Sequence, residues 1–327
     1  MATTERLLWF RRLAIAGAVL AFCVVVLGAW VRLTDAGLGC PDWPGCYGHV
    51  FPESHAHHFA RAVHEMVHRY FASTLGLIVV ALLAWALIHR KEHGQPVTAG
   101  VVLFVLICVQ GTLGMKTVTL KLQPLIVTLH LLGGLSTLAL LSWLSLAPER
   151  RALGAGESRL RPFAIVGFVV LALQISLGGW TSTNYAAVAC PDLPTCQHAW
   201  WPAMDYRDAF TLWRGLGIDY EGGVLANPAR VAIHVTHRIG AVVAGLTLIC
   251  LGIATALSAQ SSRLRSIGLL LVLAVLVQIS LGVSTVHWGV PLPIATLHNA
   301  GAALLVVVMV ALIRALWPAP RSGMVPL

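Results

Sequence analysis

The sequence predicts an all-α integral membrane protein: eight transmembrane helices arranged as two four-helix bundles related by a pseudo-twofold axis. Three observations predict it. Of 327 residues, 57% are hydrophobic and 11% charged, against roughly a quarter charged in an ordinary soluble domain. Eight apolar runs have the length of about twenty residues that crosses a hydrocarbon core. A set of motifs also recurs in the same order in both halves of the chain. So little polar surface disfavours a soluble dinucleotide-binding enzyme, a disordered chain and a nucleic-acid binder together.

The runs span about 13–31, 69–88, 97–115, 124–146, 163–181, 231–254, 265–286 and 294–316. The first follows Arg6, Arg11 and Arg12 in the manner of a signal peptide. It lacks a small-x-small cleavage site before the polar Arg32–Asp35 stretch, and so reads as a retained helix. Basic residues in the loops set the orientation. With the N-terminus inside, the inner segments carry Arg6, Arg11, Arg12, Arg90, Lys91, Arg150, Arg151, Arg159, Arg161, Arg263, Arg265, Arg314 and Arg321, thirteen basic residues against four acids. The outer segments carry nine of each sign. The net charge of +9 therefore reports topology, with both termini cytoplasmic, and does not point to nucleic acid.

Cys40-Pro41-Asp42-Trp43-Pro44-Gly45-Cys46 is echoed by Cys190-Pro191-Asp192-Leu193-Pro194-Thr195-Cys196. Each first cysteine lies twelve residues after a glycine, Gly28 or Gly178. His68-Arg69 returns as His237-Arg238, and Thr128-Leu129-His130 as Thr296-Leu297-His298; Gln110 and Gln278 each stand twenty residues before the second histidine. A duplication fixes architecture before any motif is interpreted. The expected division is an N-terminal half, 1–146, a cytoplasmic linker, 147–162, and a C-terminal half, 163–327. An even number of spans per half places the symmetry axis along the membrane normal. The second outer loop is longer than the first, is rich in aromatic and acidic residues, and is a candidate cover for a site.

Ionisable residues inside a bilayer are expensive and usually face a bundle interior. His68, His130, His237 and His298 fall at matching places in the two halves, the first of each pair expected to begin the second helix of its half. Facing histidines in a four-helix bundle ligate haem axially while apolar faces pack on the porphyrin. Two haem sites are therefore expected, one in each half. A lone membrane histidine more often makes a helix–helix hydrogen bond; two pairs in register favour ligation. The segment His64-Glu65-Met66-Val67-His68 also fits the H-E-x-x-H zinc-protease pattern, but the second half replaces His64 by Ile233 and Glu65 by His234, keeping only the last histidine. Glu65 lies one turn from His68 on the same face. With no carboxylate at the matching place, it marks the first half as a candidate reaction site able to take protons, the alternative being a structural hydrogen bond.

Cys40–Cys46 and Cys190–Cys196 are expected as two disulfides within outer loops, with a thiol relay or copper transfer as the alternative. Cys23, Cys108 and Cys250 lie in apolar runs and are expected in the core. His49, His55, His57 and His58 read as solvated loop residues. Trp200, Trp201 and Trp213 suit either an interfacial belt or a lid over a flat ligand. Arg69 and Arg238 are candidates to hold haem propionates or to snorkel toward headgroups.

The eight spans, the paired Cys-Pro-Asp-x-Pro-x-Cys loops, the segment Glu65-Met66-Val67-His68-Arg69 and the three further histidines together resemble the haem A synthase family, in its bacterial, cysteine-containing branch, across nearly the whole chain. The resemblance implies that haem O is the substrate and that its C8 methyl is oxidised by successive hydroxylations to the formyl group of haem A for terminal oxidases. It implies that His237 and His298 ligate a resident haem b, that His68 and His130 face the substrate haem, and that Glu65 serves proton transfer or organises the oxidation site. It also implies a bacterial inner-membrane location. Haem O synthase and terminal-oxidase assembly factors are candidate partners, a homo-oligomer is left open, and membrane lipid surrounds the chain. Two other classes share these features: a dihaem b-type electron-transfer cytochrome, which needs no one-sided carboxylate, and a haem carrier, which releases its ligand unchanged.

Overall fold

A computed structural model describes residues 3–52, 58–92, 94–147 and 152–318. Arg150, Arg151 and Arg321 of the inner basic set, and His55 and His57 of the first outer loop, lie outside the described residues. Eight helices are long and apolar enough to cross a membrane: α1 (Thr3–Leu33), α2 (Phe59–Ile88), α3 (Val97–Thr119), α4 (Pro124–Ser145), then, after the five-residue α5 (Ala155–Arg159), α6 (Arg161–Thr183), and, after the single turn α7 (Tyr206–Ala209), α8 (Asn227–Ser258), α9 (Ser262–His287) and α10 (Leu292–Leu316). No strand is formed among the described residues. The chain is a multi-pass membrane protein.

Local chemistry marks where several of these helices start. Pro124 opens α4, and the Gln123 side chain caps it by accepting from Ile126 N at 2.9 Å. Prolines also lie in the first turns of α6, α8 and α10, where a missing N–H costs nothing. Ser261 caps α9 by accepting from Leu264 N at 3.2 Å.

Two expectations about the elements are corrected. His68 and His237 do not begin their helices: α2 starts at Phe59 and α8 at Asn227. The first turns of both carry charged or polar residues such as Arg61, His64, Asn227 and Arg230, which break an apolar run without breaking a helix. The cysteines Cys108 and Cys250 are exposed, and Cys23 is half-buried. In a membrane protein an apolar residue is as well placed against lipid as against another helix, so hydropathy alone does not say which face it takes. Leu77, Ile88 and Leu257 are likewise turned outward.

Helices α1, α4, α6 and α10 form the centre: α10 touches α1, α4 and α6, and α4 touches α1 and α6. Helices α2, α3, α8 and α9 flank them, and α10 is the most enclosed span. One core cluster runs through the assembly, including Leu82, Leu138 and Leu141 from the first four spans and Leu248, Met309 and Leu312 from the last four. The segment between the fourth and fifth spans is not featureless. Glu157 of α5 is fully buried; its Oε2 accepts from Gly154 N at 3.0 Å and its Oε1 from Gln260 N at 2.9 Å, tying α5 to the turn between α8 and α9.

The opposite end carries the cysteine loops. The long loop before α8 docks there on the first four spans: Tyr220 N donates to Lys121 O at 3.1 Å, Gln123 Nε2 donates to Leu212 O at 3.0 Å, and Arg61 lies 3.4 Å from Glu221. Trp200 and Trp201 project from this end, largely exposed, and do not line the cavity described below.

Candidate functional site

The two cysteine loops are built alike. Cys40 is bonded to Cys46 and Cys190 to Cys196, with Cα–Cα distances of 4.8 and 4.6 Å. The second cysteine of each exchanges backbone hydrogen bonds with the residue three further on, His49 or Ala199. The aspartate of each motif closes the turn. Asp42 accepts from Tyr47 N and Gly48 N, both at 2.7 Å, and Asp192 from Gln197 N at 2.6 Å, His198 N at 3.1 Å and the Thr195 hydroxyl. The Thr195 hydroxyl, the largest influence, together with the backbone N–H groups of His198 and Gln197 outweighs the opposing cost of desolvation and holds Asp192 down to a pKa of about 2. For Asp42 a slight burial pushes upward, but the N–H groups of Gly48 and Tyr47 and the charge of Arg69 outweigh it, and its pKa is lowered.

Arg69 and Arg238 clamp these loops to the helices. Arg69 Nη1 donates to the carbonyls of Gly45, Asp42 and Pro44 at 2.7, 3.0 and 3.2 Å, and its Nη2 pairs with Glu65. Arg238 donates to Thr195 O and Cys190 O, both at 2.8 Å. The other oxygen of Glu65, Oε2, accepts from Cys40 N at 2.9 Å. Glu65 is therefore buried and fixed on both oxygens, joining the disulfide loop to α2.

A cavity of about 540 Å³ opens beside this carboxylate, within the usual range for a cofactor-sized ligand. Its walls come mainly from α1 to α4 and include Glu65, His68, Gln110 and His130; Gly179, Ser182, Thr183 and Asn299 close it from α6 and α10. His68 and His130 face one another with ring centres 6.5 Å apart and planes at 83°. About 2 Å from a metal to an imidazole nitrogen and about 1 Å more to the ring centre, taken on both sides, gives about 6 Å, so the spacing fits two axial imidazoles on one iron. The carbonyl of Val24 faces the His68 ring and that of Gln110 the His130 ring, although neither makes a well-formed hydrogen bond to the buried Nδ1. A carbonyl behind an imidazole is the usual outer-shell partner of a metal-bound histidine.

His237 on α8 and His298 on α10 are the corresponding residues of the second half. Here the rings are held by glutamines. Gln174 Nε2 lies 3.1 Å from His237 Nδ1 and donates to His237 O at 3.1 Å. Gln278 Nε2 lies 3.4 Å from His298 Nε2 and donates to His298 O at 2.9 Å. Counting from Gly28 and Gly178, the position of Gln174 is occupied by Val24 in the first half, so the two histidine pairs differ in what stands behind them.

Each of the four histidines packs on a glycine of a neighbouring helix. A Cβ added at Gly28 would lie 3.0 Å from His68 Cε1, at Gly178 3.2 Å from His237 Cε1, at Gly114 3.4 Å from His130 Cε1 and at Gly282 3.0 Å from His298 Cε1. Gly28 and Gly178 entered the sequence reading only as register marks; Gly114 and Gly282 were not singled out. Their signal was present, since each precedes its histidine by sixteen residues.

Of the zinc-protease residues, His64 packs edge-on against Trp30 at 6.3 Å between ring centres, while Glu65 is engaged by Cys40 and Arg69. In the other half His234 is buried, with Nδ1 2.8 Å from Ala186 O.

A family model described as cytochrome oxidase assembly protein matches residues 11–310. The chain belongs to that family. It is 41% identical to a haem A synthase of Shewanella oneidensis over 95% of this chain and 97% of the relative. It is 28% identical to one of Halalkalibacterium halodurans, over 88% of this chain and 91% of the relative, and 26% identical to one of Rhizorhabdus wittichii, over 88% of each.

Proposed function

We propose that this chain is a haem A synthase that oxidises the C8 methyl of haem O to the formyl group of haem A by successive hydroxylations. The observation that carries the reading is the cavity in which His68 and His130 oppose each other at axial-ligand spacing beside a buried carboxylate, in a chain similar over nearly its full length to a haem A synthase. In this reading residues 1–146 hold the substrate, 163–327 hold a resident haem b on His237 and His298, and 147–162 join them. The matching Gly–His packing and the two clamped disulfide loops support that division.

Haem b, held by His237 and His298, would supply a one-electron acceptor. The remaining work belongs to the side chains. His68 and His130 orient the substrate ring, and Gly28 and Gly114 leave room for the two imidazoles to stand where they do. The apolar walls exclude bulk water. Oxidising a methyl group releases protons as well as electrons, and Glu65 is the carboxylate within the cavity wall to take them at Oε1 or Oε2; Arg69 and Cys40 N fix where those oxygens stand. Gln174 holds His237 at Nδ1 and at its carbonyl, and Gln278 holds His298 at its carbonyl. Arg69 and Arg238 have their donors on loop carbonyls, so their proposed part is to anchor the disulfide loops over the two sites. The thirteen inner basic residues support cytoplasmic termini and cysteine loops on the outer face of a bacterial inner membrane.

The assignment of sites is tested by haem content. H237A or H298A is expected to strip haem b, read as pyridine haemochrome, whereas H68A or H130A leaves haem b and loses haem O. An H237A protein with full haem b refutes the division.

A further inference from the structure

Among the described residues, three charged side chains other than histidine line the cavity: Arg32, Glu65 and Arg69. Glu65 and Arg69 are engaged by each other and by the first cysteine loop. Arg32 is not. It follows Gly28 by four residues on α1, so it stands on the face that packs against His68, about 6 Å nearer the cysteine-loop end. Its Nη2 donates to Ser182 O at 2.8 Å, its guanidinium lies 4.1 Å from the Tyr185 ring centre, and Nη1 is 3.5 Å from Asp35, a half-exposed carboxylate outside the cavity wall. The Arg32 side chain itself is 15% exposed, and its Nε is buried with no partner among the described residues. A guanidinium carries five N–H donors and cannot shed its charge; with Nη2 on Ser182 O and Nη1 no closer than 3.5 Å to Asp35, the fork keeps donors for a ligand acceptor on this cavity wall. Counting from Gly28 and Gly178, the second half has Ser182 at this position. The second half thus has no arginine at this place.

We infer that Arg32 binds a propionate carboxylate of the porphyrin substrate and thereby sets which ring edge faces the reaction site. The inference rests on the reading of this cavity as the haem O site. A porphyrin is an apolar disc with two carboxylates on one edge, and an unpaired carboxylate does not enter an apolar pocket without heavy cost. Arg32 offers the fork geometry that pairs with a carboxylate on the wall where the polar edge must emerge. Axial histidines alone leave the disc free to turn about the iron axis. A carboxylate anchor removes that freedom and so decides which methyl group is presented for oxidation.

The test compares haem O with its dimethyl ester, titrated by absorbance into full-length detergent-purified protein from a host without haem O synthase. Wild type is expected to bind the diacid about tenfold to a hundredfold more tightly than the ester. R32Q is expected to bind both equally, near the wild-type affinity for the ester. A merely structural role would weaken both ligands together. R32Q with the wild-type ratio overturns the inference, whereas wild type binding neither ligand overturns the substrate-site reading itself. Should R32Q fail to run as a single species on gel filtration, R32K replaces it, because lysine cannot make the forked pair. A reduced diacid-to-ester ratio is then expected, and an unchanged ratio overturns the inference.

Discussion

The glycine beneath each histidine gives a graded prediction within one motif. At Gly28 an added methyl meets His68 Cε1 at 3.0 Å, and at Gly114 it meets His130 Cε1 at 3.4 Å. Carbon atoms rest at about 3.5–4.0 Å, so G28A forces a displacement of about 0.5–1 Å, while G114A asks for little. The His68 ring has nowhere neutral to go, since it stands at ligand spacing from His130 on a helix fixed by the Glu65 contacts to Cys40 and Arg69. Overpacking of this kind costs about 1–3 kcal/mol, and a misplacement of about 1 Å at a reaction site costs about a hundredfold in rate. Local helix propensity works the other way, because alanine is favoured over glycine by about 1 kcal/mol in a helix interior. G28A is therefore expected to remain folded, to lose at least about tenfold in haem A formation, and to show an altered absorbance of the haem bound by the first half; G114A should stay within about threefold of wild type. Haem A formed per unit of membrane protein, together with the bound-haem spectrum, is the assay. G28A matching wild type, or G114A being as damaging as G28A, would refute the packing argument.

The other groups separate by assay. E65Q keeps an acceptor for Cys40 N, so it should retain haem b and lose about a hundredfold or more in turnover, in line with the worth of a positioned proton acceptor; unchanged product formation would remove Glu65 from the chemistry. Q174L takes the side-chain partner from His237 Nδ1 and should weaken haem b retention by about tenfold to a hundredfold, read by dialysis against apomyoglobin, with no change expected in haem O binding by the first half. Asp192 has a folded pKa of about 2, below the unfolded value of about 3.9. Its contribution to loop stability is thus present above about pH 4 and lost as pH falls through about 2. The thermal midpoint of wild type should exceed that of D192N near neutrality and converge with it at the acid end, and a constant gap would contradict the assignment.

The span count and the motif pairing were legible because both are one-dimensional signals: length of apolar run and recurrence at fixed spacing. The facing of His68 and His130 followed from placing one residue on each of two helices at similar depth. What the sequence left open depended on which way a side chain turns. Arg69 and Arg238 stand next to ligand candidates and were candidates for propionate binding, yet their donors go to the carbonyls of loops 24 and 43 residues away in sequence. Arg32 was read only as the start of the polar Arg32–Asp35 stretch, because nothing in its neighbours along the chain shows a cavity that five other helices complete. Cys108 and Cys250 were expected inside because hydropathy is the same for a lipid face and a core face. Helices α2 and α8 start earlier than their apolar runs because backbone hydrogen bonding, rather than hydropathy, decides where a helix begins.

The most direct test is mass analysis of haems extracted from membranes that express this chain together with a haem O synthase. Haem A, or its hydroxylated precursor, is predicted whenever the chain is present and from no membrane that lacks it, with H68A abolishing the product. Recovery of unmodified haem O and haem b alone, from protein that is folded and carries haem, would contradict the account and leave an electron-transfer cytochrome or a haem carrier as the reading.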